Sequence, residues 1–333
     1  MNHIPIYGGF ELTSRCNLNC KMCYVHNSNS AEAKASELST KQWISIFDEA
    51  INSGMLFALL TGGECLLRED FEELYLYLYK KGIFMSVNSN ATLIDDRMAA
   101  FFQQYKPDRI QISVYGSSDD AYENVTERRM FTKLKSALDC LDHHGIIPEI
   151  GITPNSYMSD FADILQFVIS RKYPLKVNPA LLKPRDGRSI SDCYLTDDEQ
   201  IEFDKQKRVF LGKRLKFHDG PAPAPGSALT EAKRGIPCNA GTIRAVITHD
   251  GKMVPCMAIP EISINVLENG YAKSWEYIWR KMEDVLQPPM CEGCAYKKKC
   301  FFCPVMRYDG LNSGKCKTEV CELMVKKYEN GII

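Results

Sequence analysis

No run of apolar residues approaches the length that crosses a membrane; Met55 to Leu60 is among the longest, and it is strand-sized. Positive charge is not in surplus either. Lys and Arg number 41 against 42 Asp and Glu, a net charge of -1, which argues against a general nucleic-acid binder. The six histidines show no metal-ligand spacing such as HxxxH. The N-terminus lacks the basic region, apolar stretch and small-residue cleavage site of a secretory signal, so the chain is expected in the cytoplasm and away from membranes. Apolar residues themselves are not lacking: 45% hydrophobic and 25% charged is a globular composition and excludes wholesale disorder. Cysteine is abundant, 14 in 333 residues. In a reducing compartment such a count implies metal ligation or redox chemistry rather than a disulfide framework.

The cysteines divide the chain. Cys16, Cys20 and Cys23 stand near the start, nine lie from Cys193 to Cys321, and only Cys65 and Cys140 fall between. The middle alternates strand-like and helix-like segments. Strands are expected at Tyr7 to Thr13, Met55 to Leu60, Ile83 to Val87, Arg109 to Val114, Ile146 to Ile152 and Leu175 to Val177. Ser39 or Thr40 caps a helix bearing Trp43, Phe47, Ala50 and Ile51 on one face. Further helices are expected over Phe71 to Lys80, Asp95 to Tyr105, around Leu134 to Leu141, and over Phe161 to Ile169. Six βα units imply right-handed crossovers and a parallel sheet, either doubly wound or a partial barrel, with chemistry at the carboxyl ends of the strands. The motifs favour the partial (β/α)6 TIM-like barrel. Thr196 caps a helix of mixed charge, and Pro221 to Gly226 reads as a stiff linker. The expected division is a barrel over 1–190, a helical bridge and linker over 191–235, and a small Cys-rich domain assembled around metal over 236–333.

Cys16, Cys20, Cys23 and Tyr24 follow the first strand. Three thiolates can hold three corners of a cubane iron–sulfur cluster and leave one iron open to a small molecule. Zinc is the plain alternative, with His26 as a fourth ligand. The Cys-x3-Cys-x2-Cys-aromatic pattern resembles the signature of the radical S-adenosylmethionine (SAM) superfamily. Thr61-Gly62-Gly63-Glu64, one βα unit later, resembles that family's GGE motif, although Cys65 replaces the usual proline. The resemblance implies a [4Fe–4S] cluster whose open iron chelates SAM, one-electron cleavage to a 5′-deoxyadenosyl radical, and an external donor such as flavodoxin or ferredoxin. It also implies that Tyr24 packs near the adenine, that Gly62 and Gly63 bring backbone close to SAM, that backbone groups or Glu64 bind its amino group, and that Ser113 contacts the ribose. Asn88, Ser89 and Asn155 are further polar residues expected at the same mouth.

The tail contains Cys238, Cys256, Cys291, Cys294, Cys300, Cys303, Cys316 and Cys321. Two CxxC pairs can bind zinc, but the arrangement also resembles the SPASM extension of peptide- and protein-modifying radical SAM enzymes. That likeness implies one or two auxiliary [4Fe–4S] clusters: an outer one on Cys291, Cys294, Cys300 and Cys321, and an inner one on Cys238, Cys256 and Cys303, with Cys316 completing it. Cys140 reads as a small packing residue, whereas Cys65 and Cys193 are candidates for donating a hydrogen atom to a substrate radical.

The implied function is hydrogen abstraction from a residue of a ribosomal peptide or protein, giving a crosslink, an oxidised side chain or an epimer. The chain starts almost at the first strand, so a separate leader-binding protein is one expected partner. Lys183 to Arg188 is expected to line the substrate mouth. The alternatives are a radical SAM enzyme acting on a small molecule such as a sugar or amino acid, and a non-catalytic zinc-binding protein.

Overall fold

The computed structural model describes residues 3–25, 29–178, 181–212, 239–284 and 318–332. The chain runs β1 (Tyr7–Glu11), α1 (Ala31–Ala35), α2 (Thr40–Asn52), β2 (Phe57–Thr61), α3 (Phe71–Lys80), β3 (Phe84–Ser89), α4 (Asp96–Gln104), β4 (Arg109–Ser113), α5 (Asp119–Thr126), α6 (Phe131–His143), β5 (Glu149–Ile152), α7 (Phe161–Ser170) and β6 (Leu175–Val177). Then come α8 (Asp197–Leu211), β7 (Arg244–Ile247), β8 (Lys252–Val254), β9 (Ile264–Asn265), α9 (Val266–Asn269), α10 (Tyr271–Glu283) and α11 (Thr318–Glu329).

Strand order settles the topology left open by the sequence. The sheet reads β6-β5-β4-β3-β2-β1-β7-β8-β9, and β1 to β6 are parallel in unbroken succession. A doubly wound sheet would reverse its order at a switch point; sequential order with right-handed crossovers puts every crossover helix on one face, as in a barrel. That face is sealed. Phe10, Leu60, Val87, Ile112 and Ile150 project into it and are wholly buried. Phe10 meets Trp43 and Phe47 of α2 edge-on, at ring separations of 6.1 and 4.8 Å.

Local chemistry explains the helix starts. Ser39 closes a capping box with Gln42 on α2, and Thr196 closes one with Glu199 on α8. The sequence reading passes over α1, α5, α9 and α10; within the run of βα units, α5 shows why. It is short and buries only Tyr122, Val125 and Thr126, although Ser118 caps it.

The sheet continues past the expected boundary near residue 236. β7 lies parallel to β1, and β8 and β9 extend the sheet antiparallel. Trp275, Ile278 and Met282 of α10 join the same buried cluster as Phe10 and Trp43. At the far end, α11 docks on α8 through Lys326–Asp197 (2.6 Å) and Lys327–Asp204 (2.9 Å). The Pro221 to Gly226 segment lies outside the described residues.

Candidate functional site

The loop that carries the first three cysteines leaves the carboxyl end of β1 and is fastened by its neighbours. Arg15, just before Cys16, binds Glu37 through Nε (2.6 Å) and Nη2 (3.1 Å). Thr13 also donates to Glu37. Arg68 donates through Nη1 to Glu37 (3.3 Å), to the Leu12 carbonyl (3.0 Å) and to the Leu38 carbonyl (3.1 Å), and it grips Asp70 through two bonds of 2.8 and 2.7 Å. This network is nearly sealed from solvent, and bidentate guanidinium–carboxylate pairs are the geometry in which burial of charge is tolerable.

The Gly62-Gly63-Glu64 turn packs directly beneath that loop. A Cβ at Gly63 would overlap the carbonyl oxygens of Ser14 and Arg15, and one at Gly62 would overlap that of Thr13. The glycines therefore let two backbones touch: Gly63 N donates to Thr13 O and Glu64 N to Arg15 O, both at 2.8 Å. Glu64 is fully buried, and its carboxylate accepts from Asn90 N (2.7 Å), Ser89 Oγ (2.9 Å) and Leu66 N (3.1 Å). Burial pushes its pKa up, and these bonds oppose the rise. In this geometry the glutamate joins the end of β2 to the end of β3.

Cys16 and Cys23 are half-buried and Cys20 is buried. Burial, followed by the Glu64 carboxylate, pushes the Cys16 thiol up to about 12, and burial followed by Cys23 raises that of Cys20. The thiols thus penalise one another's charged forms. Leu18 N (3.4 Å) and Asn90 Nδ2 (3.7 Å) donate to Cys16 Sγ. Among the described residues no three Cys, His, Asp or Glu side chains stand as a group that could hold a metal ion. A cationic iron–sulfur centre fits this donor set: it supplies the positive charge three crowded thiolates need, and Asn90 supplies a hydrogen bond to one sulfur. Nearby, Asn88 Oδ1 is buried without a hydrogen-bond partner, an acceptor open to a ligand donor at the carboxyl end of β3.

Tyr24 is held by Arg185 and Glu11. The Arg185 guanidinium lies 5.5 Å from its ring centre, and Arg185 N donates to Tyr24 O at 3.0 Å. Arg185 also forks onto the wholly buried Glu11, at 2.7 and 2.9 Å, and Tyr24 Oη reaches Glu11 Oε1 at 3.5 Å. Burial, then the Glu11 carboxylate, raises the Tyr24 phenol well above its usual value, while Arg185 opposes them. Arg188 Nη2 donates to the Cys23 carbonyl at 2.9 Å. The Lys183 to Arg188 stretch, expected to line the mouth, therefore straps the Cys23–Tyr24 backbone.

Ser113 ends β4 on the face opposite the buried helices. Ser89 is taken up by Glu64, and Asn155 by its own loop, through Thr153 O and Tyr157 N at 3.1 Å. Cys65 is fully buried and donates to Asn88 O at 3.4 Å, and Cys193 is likewise buried in the core. Cys256 is half-buried beyond β8, beside Met257, whose sulfur lies 3.5 Å from Arg185 Nη2; Cys321 is exposed on α11. Cys238, Cys291, Cys294, Cys300, Cys303 and Cys316, with His26, lie outside the described residues. Sequence reasoning missed Glu11, Glu37, Arg68 and Asn90. The only local signal was an arginine next to the first cysteine.

Comparison with known proteins agrees with this geometry. The family model described as the Radical SAM superfamily matches residues 10–168. The antilisterial bacteriocin subtilosin biosynthesis protein AlbA of Bacillus subtilis is 27% identical over 321 residues, covering 94% of this chain and 69% of AlbA. The AdoMet-dependent heme synthase of Methanosarcina barkeri is 24% identical over 332 residues, covering 92% and 93%. Among solved structures, Streptococcus suis SuiB bound to S-adenosylmethionine superposes with a TM-score of 0.74 at 17% identity, over 96% of this chain and 78% of SuiB. SuiB bound to precursor peptide SuiA gives 0.70. At that identity SuiB testifies to the fold. Among the described residues no helix is long and apolar enough to cross a membrane.

Proposed function

Through residues 10–168 the chain belongs to the radical SAM superfamily, and from that premise we propose that it abstracts a hydrogen atom from a residue of a ribosomal peptide or protein. The supporting observation is the Cys16–Cys20–Cys23 loop at the carboxyl end of β1, three free thiols with no fourth cysteine in the loop, together with the orphaned acceptor of Asn88 at the carboxyl end of β3. The subtilosin biosynthesis relative and the peptide-bound SuiB fold favour a peptide substrate.

Cys16, Cys20 and Cys23 would hold the [4Fe–4S] cluster. When bound, it supplies the single electron that splits SAM into methionine and a 5′-deoxyadenosyl radical. The chain's own residues do the positioning. Arg15, Glu37 and Arg68 fix the start of the loop, and Arg185 and Arg188 fix its end. Glu64 ties the end of β2 to the end of β3, and strand register puts Asn88 and Ser113 on the helix-free face as the polar groups offered to SAM.

Cys256 and Cys321 belong with the tail cysteines as ligands of one or two auxiliary clusters in a SPASM-like unit over 236–333. A one-electron donor such as flavodoxin or ferredoxin, and a separate leader-binding protein, complete the proposed partners. The burial of Cys65 and Cys193 weighs against either as a hydrogen-atom donor. The heme synthase relative keeps a small molecule as the second reading.

The test is anaerobic incubation with SAM, reductant and short peptides encoded beside the gene, followed by mass spectrometry. A mass loss of two hydrogens, or unchanged mass with altered retention, together with 5′-deoxyadenosine, is expected. SAM cleavage with no change in any such peptide would favour the small-molecule reading.

A further inference from the structure

The helix-free face of the sheet has a charge and shape pattern of its own. Cross-strand partners share a face. Tyr7 stands opposite Phe57 and Arg244, Phe57 opposite Phe84, Asn88 opposite Gln111, Gln111 opposite Glu149, and Gly151 opposite Lys176. These residues therefore lie on one face, alternating with the sealed side chains of Phe10, Leu60, Val87, Ile112 and Ile150. Among the described residues no crossover helix covers this face.

Its amino-terminal edge is apolar. Tyr7, Phe57 and Phe84 form a stacked ladder with ring separations of 4.6 and 5.1 Å. Tyr7 is 39% and Phe84 52% exposed, and Leu56 (53%) and Ile147 (70%) stand at the same edge. Large apolar groups left in water along one rim mark a contact surface more often than chance.

The same face carries three cations: Arg244 on the rung of Tyr7, Arg109 on that of Ser86, and Lys176 on that of Gly151 and Ser113. Lys176 Nζ donates to Gln111 Oε1 at 3.0 Å, and no carboxylate among the described residues pairs with it. Arg244 also lacks an ion-pair partner among the described residues, while Arg109 has Glu149 at 3.4 Å. At the opposite end the buried Glu11 is already neutralised by the fork of Arg185. Burial, then Arg109 and Arg244, lower the Lys176 pKa, with Glu149 opposing. A largely buried ammonium whose hydrogen bond goes to an amide carbonyl, with Glu149 acting on it without forming an ion pair, is costly to keep charged, and a ligand carboxylate would offset that cost.

We propose that this inner face docks a peptide carrying an acidic residue beside an aromatic or aliphatic one, with Lys176 taking the carboxylate and the Tyr7–Phe57–Phe84 ladder taking the apolar side chain. The proposal rests on the peptide reading above and adds the chemistry of the peptide. An ordinary strut between β6 and β4 would need a hydrogen bond to Gln111 but not a charge, so charge is the discriminating property.

The test uses the full-length, cluster-reconstituted enzyme with SAM and fluorescein-labelled Gly/Ser decapeptides centred on Phe-Asp, Phe-Asn, Phe-Lys or Ala-Asp, read by anisotropy. The Phe-Asp peptide should bind at least about tenfold more tightly than Phe-Asn or Phe-Lys, and the margin should shrink with added salt. Lys176→Gln should erase the preference for Asp over Asn, and Lys176→Arg should keep it. Phe57→Ala should bring Phe-Asp down to the affinity of Ala-Asp. Equal binding of Asp and Asn peptides by the unsubstituted enzyme would overturn the proposal with no variant needed, as would a preference that survives Lys176→Gln. Peptide-independent SAM cleavage by the unsubstituted enzyme separates the two levels. Cleavage without an Asp preference overturns only the groove, whereas absence of both cleavage and peptide binding overturns the functional reading.

Discussion

Replacing Glu64 separates two roles that the sequence alone leaves merged. If the carboxylate bound a ligand amino group, Glu64→Ala would weaken SAM binding and leave the iron-free fold intact. The structure gives a different expectation, because the carboxylate already accepts from two backbone amides, Asn90 N at 2.7 Å and Leu66 N at 3.1 Å, and from Ser89 Oγ at 2.9 Å. Alanine would leave both amides buried without an acceptor. Each orphaned donor costs about 1–3 kcal/mol, so the loss is about 2–6 kcal/mol in all. Glutamine keeps one carbonyl oxygen but turns an NH2 toward a donor, and should cost about 1–3 kcal/mol. Urea unfolding of the reduced, iron-free protein, followed by circular dichroism, measures this without any cofactor. Alanine and glutamine variants as stable as the parent within about 0.5 kcal/mol, with SAM affinity reduced in the loaded protein, would refute the structural role.

Gly63→Ala should push the Cys16 loop away from the GGE turn, because its Cβ overlaps the Ser14 and Arg15 carbonyls; less iron than the parent retains after reconstitution and desalting is the expected result. Arg185→Ala takes the two-bond fork from the wholly buried Glu11 and leaves it only Tyr24 Oη at 3.5 Å and His249 Nδ1 at 3.8 Å, so unfolding should cost about 3–5 kcal/mol less than in the parent. Burial raises the Asp70 carboxyl, but Arg68 and Thr40 outweigh it and hold the pKa below the ordinary aspartate value. Its contribution is therefore complete above that ordinary value and lost as pH falls through the lowered one; acid unfolding of Asp70→Asn should lack this component of the parent's slope.

Elements whose information is local were legible in the sequence. Phe71–Lys80 appears with the expected bounds because its apolar spacing and Gly82 are contiguous in the chain. The cysteine triad and the GGE turn were legible for the same reason. α5 was not, because its eight residues bury one short stripe behind a polar first turn. The charged supports were hidden for a different reason. Arg15 and Glu37 are 22 residues apart and Arg185 and Glu11 are 174 apart, so only the fold tells a buried charge from a solvated one. The functions of the glycines and of Glu64 shifted likewise. Their types were noticed, but the surface they press against is set by how the β1 and β2 loops meet.

The central claim is that Cys16, Cys20 and Cys23 hold a cluster with one iron open to SAM. Electron paramagnetic resonance of the anaerobically reconstituted, reduced protein tests it most directly. SAM should shift one cluster signal, and both that signal and 5′-deoxyadenosine should disappear when Cys16, Cys20 and Cys23 are all changed to alanine. A spectrum indifferent to SAM, or SAM cleavage that persists in the triple variant, would contradict the account.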